Sequence, residues 1–305
     1  MNNHITKTQT RKLEKLSKIK RTQISMQSLY SFDDALFSRI SECSKYVIFE
    51  KSEHIETNEV LQRVAYARTC QLRFCSLCNY YRARNLTPQI VRELRKLAHE
   101  GKHLIFLTLT VKNCKYEDLR ETIQHMNQSF KRMIRNTKFK NNLHAWIRTL
   151  EITFKKRNGL AHPHFHCILA VNSDYFKSKN YFKKHEFKQL WMRSCKSDVE
   201  LTTHIQEVKK NKTKSNLSSI ESAVFELSKY ITKASDLANL EVSDMKIIHQ
   251  QLSKLRFIVT SRNIKLDEKN GDQKIDDEML RLIDAIVFKF SYESKNYEYL
   301  KTVSM

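Results

Sequence analysis

The densest run of reactive side chains is His162-Pro163-His164-Phe165-His166. On an extended strand, side chains two residues apart share a face. His164 and His166 would then stand side by side, followed on that face by Ile168 and Ala170. Phe165, Cys167 and Leu169 would turn the other way, into the core. Two adjacent imidazoles make half of a divalent-metal site. Just upstream, Asn158-Gly159 is a hairpin signal, in a chain with only 3 Gly. A turn there brings Glu151 near His164. A Glu, His, His set leaves coordination positions open, which a catalytic metal needs in order to polarise a phosphate oxygen. The mixed carboxylate and imidazole shell suits Mn²⁺ or Mg²⁺. His162 is either a further ligand or a support for the others. The alternative is a set of surface histidines that bind nothing.

A second group lies in Glu226-Leu227-Ser228-Lys229-Tyr230-Ile231-Thr232-Lys233. On a helix, Glu226, Tyr230 and Lys233 fall on one face, and Leu227 and Ile231 on a neighbouring face suited to packing on a sheet. A phenol with a pKa near ~10 attacks poorly unless its phenolate is stabilised. Lys233 and a metal could both do that. Attack on a phosphodiester would leave a 5′-phosphotyrosyl link and a free 3′-OH, and Glu226 could activate water to resolve the link. An ordinary amphipathic helix is the competing explanation. With 12 Tyr present, composition does not single out Tyr230, and Tyr175 and Tyr181 are its nearest rivals in sequence.

The third group is Cys70, Cys75 and Cys78, in which the last pair has zinc-ligand spacing. Cys43 could complete a structural tetrathiolate that folds a segment without a core of its own. Arg73, Arg82 and Arg84 interleave with Phe74, Tyr80 and Tyr81, a mixture suited to phosphate contacts and base stacking. The alternative is buried free thiols. Cys114, Cys167 and Cys195 are isolated.

The elements that must position these groups follow from periodicity. Thr87 to Glu100 reads as a helix with Pro88 near its first position and Gly101 past its end. Leu104 to Val111 reads as a strand and Tyr116 to Arg135 as an amphipathic helix. Trp146 to Phe154 and His164 to Val171 read as strands joined by the Asn-Gly hairpin. Phe182 to Cys195, Ile220 to Ala234, Ser243 to Leu255 and Met279 to Phe290 read as helices, and Val199 to Val208 as an edge strand. Lys209 to Ser219 and residues 267–278 read as loops. Residues 1–30 read as a flexible basic arm or a frayed helix over Arg11 to Lys20. The expected class is α+β, a central antiparallel sheet flanked by helices, with a small Cys-rich zinc segment.

Charge points to the partner. Lys and Arg total 55 against 33 Asp and Glu, a formal +22, which favours a polyanion such as nucleic acid. No apolar run approaches the ~18 residues of a membrane span. Met1 to Arg21 lacks the apolar core of a secretory signal. The expected setting is cytoplasmic and reducing, where 7 Cys do not imply a disulfide framework.

Taken in order, these segments resemble the plasmid rolling-circle replication initiators of the His-hydrophobic-His endonuclease superfamily. Phe106-Leu107-Thr108-Leu109-Thr110-Val111-Lys112-Asn113 is similar to that family's first motif. The run from His162 to His166, followed by Ile168-Leu169, resembles its metal motif. Glu226 through Lys233 resembles its nucleophile motif, in the subgroup with one tyrosine and a glutamate four residues earlier. Cys70 through Arg82 is similar to a cysteine-rich segment that precedes the first motif. The resemblance covers roughly 40–265. It implies the His-hydrophobic-His endonuclease fold, metal binding by His164, His166 and Glu151, attack by Tyr230 and termination by Glu226.

On that reading residues 1–39 are a basic arm, 40–85 a zinc segment, 86–265 the nicking endonuclease and 266–305 a helical tail. The substrate would be a single-stranded nick site in a plasmid origin. A host helicase and polymerase would be partners, because no G-x₄-G-K-[ST] phosphate loop is present. Two rivals remain: a transposase or mobilisation relaxase with the same chemistry, and a zinc-containing DNA-binding regulator without catalysis.

Overall fold

The computed structural model describes residues 6–58, 60–155, 158–179, 181–208, 219–228, 237, 240–266 and 280–304. In chain order the elements are α1 (Lys7–Gln27), α2 (Asp34–Ser41), β1 (Tyr46–His54), β2 (Val60–Ala67), α3 (Ser76–His99), β3 (His103–Thr110), β4 (Cys114–Lys115), α4 (Leu119–Ile134) and α5 (Thr137–Lys140). There follow β5 (Leu143–Lys155), β6 (Leu160–Val171), α6 (Lys184–Cys195), β7 (Thr203–Glu207), α7 (Ser219–Ser228), α8 (Val242–Leu252), β8 (Ile258–Thr260), β9 (Leu280–Ser291) and β10 (Asn296–Ser304). The chain forms two units: residues 83–269, and residues 1–82 with 270–305.

The unit of residues 83–269 is built on a six-stranded sheet in the order β7-β3-β6-β5-β8, with β4 also paired to β6. Every strand pair in it is antiparallel. The β5–β6 hairpin turns at Gly159, whose φ of +60° suits a residue without a Cβ. On one face α4 buries Phe130 against Trp146 and Phe165, with ring centroids 5.0 and 6.2 Å away. Its apolar stripe of Leu119, Ile123, Met126, Phe130 and Met133 is buried as the helical spacing requires. On the other face, Leu94 and Leu97 of α3 and Val224 and Leu227 of α7 pack on Leu104, Ile147, Ile168 and Ala170. Strand β6 is thus buried on both sides, not only on the Phe165 side.

The other unit has a four-stranded sheet in the order β10-β9-β1-β2. Helix α1 packs on β10, where Ser17 Oγ accepts from the Tyr297 amide at 3.1 Å. Thr6 and Gln9 form a capping box at the start of α1.

Several expectations change. Of the two readings of residues 1–30, the helix is the one seen, longer than Arg11 to Lys20: α1 runs Lys7–Gln27 and buries Leu13, Leu16 and Met26. Each such side chain contributes about 1.5–3 kcal/mol, while Lys7, Lys15 and Lys18 stay exposed and hydrated on the other side of the helix. Pro88 lies inside α3, which starts at Ser76, not at the first position of a helix from Thr87. The expected C-terminal helix, Met279 to Phe290, is instead β9, paired antiparallel with β1 and β10. Its β-branched and aromatic residues suit either period, and the neighbouring strands decide. The loop readings over 209–218 and 267–278 lie outside the described residues. No helix among the described residues is long and apolar enough to cross a membrane.

Candidate active site and cysteine cluster

Register assembles the first cluster. Across β5 and β6, Glu151 faces His164 and Thr149 faces His166. Across β6 and β3, His166 faces Thr108. Glu151, His164 and His166 therefore share a sheet face. Nε2 of His164 and Nε2 of His166 each lie 2.6 Å from the same Oε2 of Glu151. All three residues are buried, at 4% to 9% exposure.

The remaining ring nitrogens define what the cluster can hold. His164 Nδ1 lies 3.2 Å from the carbonyl oxygen of His162, which can only accept, so Nδ1 carries a hydrogen. His166 Nδ1 lies 3.2 Å from Thr108 Oγ1, which can hold the same tautomer. Neutral rings in that tautomer aim two Nε2 lone pairs at a carboxylate oxygen. Such an arrangement repels itself unless a cation or extra protons lie between the donors. Outer hydrogen bonds that fix histidine tautomers are the usual support of metal ligands, so the donor set fits a divalent ion. Burial raises the pKa of Glu151, but with both rings protonated, hydrogen bonds from His164 and His166 and their charge outweigh it and hold the carboxyl below its usual range.

Three donors converge here, those of Glu151, His164 and His166. His162 contributes its backbone carbonyl to His164, and its ring lies 5.4 Å from that of His164, centroid to centroid. Burial and then His164 lower its pKa. Sequence reasoning gave Thr108 no role, although its place on the half-exposed face of an apolar strand was a usable signal. Thr108→Val is expected to weaken Mn²⁺ binding about 10-fold, measured by calorimetric titration. Unchanged affinity would show that Thr108 does not orient His166.

Helix α7 reaches this cluster. Thr149 Oγ1, across from His166, donates to the Leu227 carbonyl at 3.4 Å. Glu226 lines a cleft of about 790 Å³ together with Phe106, Thr108 and His166. Tyr230 and Lys233 lie outside the described residues. Of the two rival tyrosines, Tyr175 is fully buried and accepts a hydrogen bond from the Phe182 amide at 3.1 Å. Burial pushes its phenol up to about 12, which suits packing rather than attack. Tyr181 is exposed at 36%.

The cysteines of the other unit also converge. Cys43 Sγ lies 3.5 Å from Cys75 Sγ and 3.6 Å from Cys78 Sγ, and Cys70 Sγ lies 3.5 Å from Cys78 Sγ. All four donor atoms lie within 4.8 Å of one another. A tetrahedral site with Zn–S of ~2.3 Å separates its sulfurs by roughly 3.8 Å, close to this spacing. Lys20, with 0% exposure, donates from Nζ to the carbonyls of Cys43 at 2.6 Å and Ser41 at 3.1 Å. Burial lowers its pKa, while Cys43, Cys75 and Cys70 act to raise it. The ammonium offsets part of the charge that thiolates would carry. A lysine within the buried stripe of α1 was the sequence signal for it.

The three arginines are less free than their spacing suggests. Arg82 donates to Asn79 Oδ1 at 2.5 Å and to the Gln71 carbonyl at 3.1 Å. Burial, and then Arg82, push the Arg73 guanidinium down to about 10. Arg84 is half-buried.

The model of a family described as "Replication protein" matches residues 61–301. A "Protein rep" of Lentilactobacillus hilgardii is 30% identical over 279 residues, covering 85% of this chain and 86% of that protein. A "Protein rep" of Lactiplantibacillus plantarum is 31% identical over 252 residues, covering 75% and 78%. A "Protein rep" of Staphylococcus aureus is 30% identical over 205 residues, covering 65% and 82%. No solved structure matches the chain.

Proposed function

The chain belongs to the replication-protein family of plasmid rolling-circle initiators, and from that premise we propose that it starts replication by nicking one strand of the origin. The observation that carries the reading is the convergence of two imidazole Nε2 atoms on the Glu151 carboxylate in a buried cluster. Glu151, His164 and His166 would hold a divalent ion, Mn²⁺ or Mg²⁺. Such an ion, when bound, would polarise the scissile phosphate.

The chain's own residues would do the rest. Tyr230 Oη forms a bond to phosphorus as the bond to the 3′-oxygen breaks, leaving a 5′-phosphotyrosyl strand and a free 3′-OH. Lys233, three residues along the chain, would stabilise the phenolate. Glu226 would activate the water or hydroxyl that later resolves the link. Proximity supports these roles. Tyr230 follows Leu227 by three residues, a reach of at most about 11 Å, and the Leu227 carbonyl meets Thr149 beside His166. Cys43, Cys70, Cys75 and Cys78 would hold a structural zinc. The +22 charge, with Arg73, Arg82 and Arg84, would engage origin phosphates. A host helicase would open the duplex and a host polymerase would extend the 3′ end.

The test is covalent capture. Wild-type protein incubated with Mn²⁺ and single-stranded origin DNA is expected to form an adduct stable to denaturation, and Tyr230→Phe none. An undiminished adduct in Tyr230→Phe would move the nucleophile elsewhere. Binding with no adduct in either protein would favour a regulator. Glu226→Ala is expected to nick at near wild-type rate but to accumulate the adduct several-fold, read on denaturing gels over time. Normal release would remove Glu226 from the resolution step.

A further inference from the structure

We infer that the cleft running from His166 to the edge strand β7 is a nucleobase subsite, in which His204 and Gln206 read one unpaired base next to the scissile phosphate. The inference deepens the proposed nicking function and rests on it. Neither residue carried a role in the sequence.

The placement comes from register. Across β3 and β7, Thr108 faces His204 and Phe106 faces Gln206. Across β3 and β6, Thr108 faces His166. His166, Thr108 and His204 therefore form one transverse row on the face that carries the metal donors, and Phe106 and Gln206 belong to the next row. Among the described residues strand β7 is the edge of the sheet. His204 and Gln206 are exposed. Ser222 and Glu226 of α7 form the facing wall of the cleft.

The lining suits a base more than a bare phosphate or a protein chain. Its volume of about 790 Å³ falls within the ~300–1,000 Å³ typical of small-ligand sites. Phe106 supplies a half-buried aromatic ring, with its centroid 5.8 Å from that of His166, and bases stack on such rings whatever their sequence. His204 and Gln206 then offer ring nitrogens and a carboxamide at the open rim. Those groups can both donate and accept, which is what reading a Watson–Crick edge requires. Among the described residues no Lys or Arg lines the cleft, and Glu207 and Glu226 do, so a base suits it better than a phosphate. A strand whose phosphate lay at His166 would thus place a neighbouring base over Phe106 with its edge toward β7.

The experiment uses the full chain and a randomised single-stranded oligodeoxynucleotide pool, selected by binding without added Mn²⁺ or Mg²⁺ so that cleavage plays no part and the cysteine cluster is left intact. Bound sequences of the wild type and of the double variant His204→Ala, Gln206→Ala are compared. The wild type is expected to prefer one base at one position at least about 10-fold, and the double variant to lose that preference while keeping those elsewhere. Gln206→Glu should change which base is preferred at that position. Identical preferences in all three proteins would overturn the inference, as would a uniform loss at every position. Failure of the nicking function reads differently, as absence of the Tyr230 adduct in Mn²⁺ whatever the pool shows.

Discussion

His164→Ala is expected to lower the proposed metal-dependent nicking by about 10³-fold or more while leaving DNA binding without added Mn²⁺ or Mg²⁺ nearly unchanged. The reason lies in how the ring is held. Its Nδ1 is tied to the His162 carbonyl and its Nε2 meets Glu151 Oε2 at 2.6 Å, so removal deletes one of three convergent donors and one of the two partners that keep Glu151 charged. Lewis-acid assistance at a phosphoryl oxygen is worth several kcal/mol, and about 1.4 kcal/mol is tenfold in rate. The fold has less at stake. His164 lies at the end of the face beyond the cluster of Leu104, Ile147, Ile168 and Ala170, so the melting temperature should fall little. Single-turnover nicking at several Mn²⁺ concentrations decides the matter. Nicking that survives at wild-type rate would mean that the ion, if any, sits elsewhere.

Removal of zinc from the cysteine cluster is expected to unfold the unit that contains it. Structural zinc in small sites contributes roughly 10–16 kcal/mol, against a whole-domain stability of about 5–15 kcal/mol. Here the four thiols are buried with Lys20 beneath them. Without a bound cation, one ammonium and four crowded sulfurs share an apolar interior. Cys75→Ser should abolish the stoichiometric zinc measured by elemental analysis and make residues 1–82 sensitive to limited proteolysis. Full zinc content in the variant, or a protease-resistant unit without zinc, would reduce the cluster to four packed thiols. A chelator titration followed by circular dichroism separates these outcomes.

Much of the site was legible before any coordinates. The hairpin at Asn158-Gly159, the alternation of His164 and His166 and the approach of Glu151 are local consequences of a two-residue period and one turn, and local geometry is what sequence encodes most directly. The amphipathic helix over Leu119–Ile134 was legible for the same reason. The C-terminal reading failed because Leu280–Ser291 has apolar residues at spacings that serve either period. At the lysine-rich start only the helical alternative held, because a polar sequence can still bury one stripe, as Leu13, Leu16 and Met26 do.

The sequence by itself determined which side chains offer metal donors and that His164 and His166 share a strand face, because covalent geometry sets that period. Only the tertiary structure decided that Thr108 supports His166, that Lys20 lies beneath the cysteines, and that β7 closes the sheet beside Phe106. Those contacts join residues far apart in the chain, and their partners are chosen by packing and strand order, which no short-range pattern records.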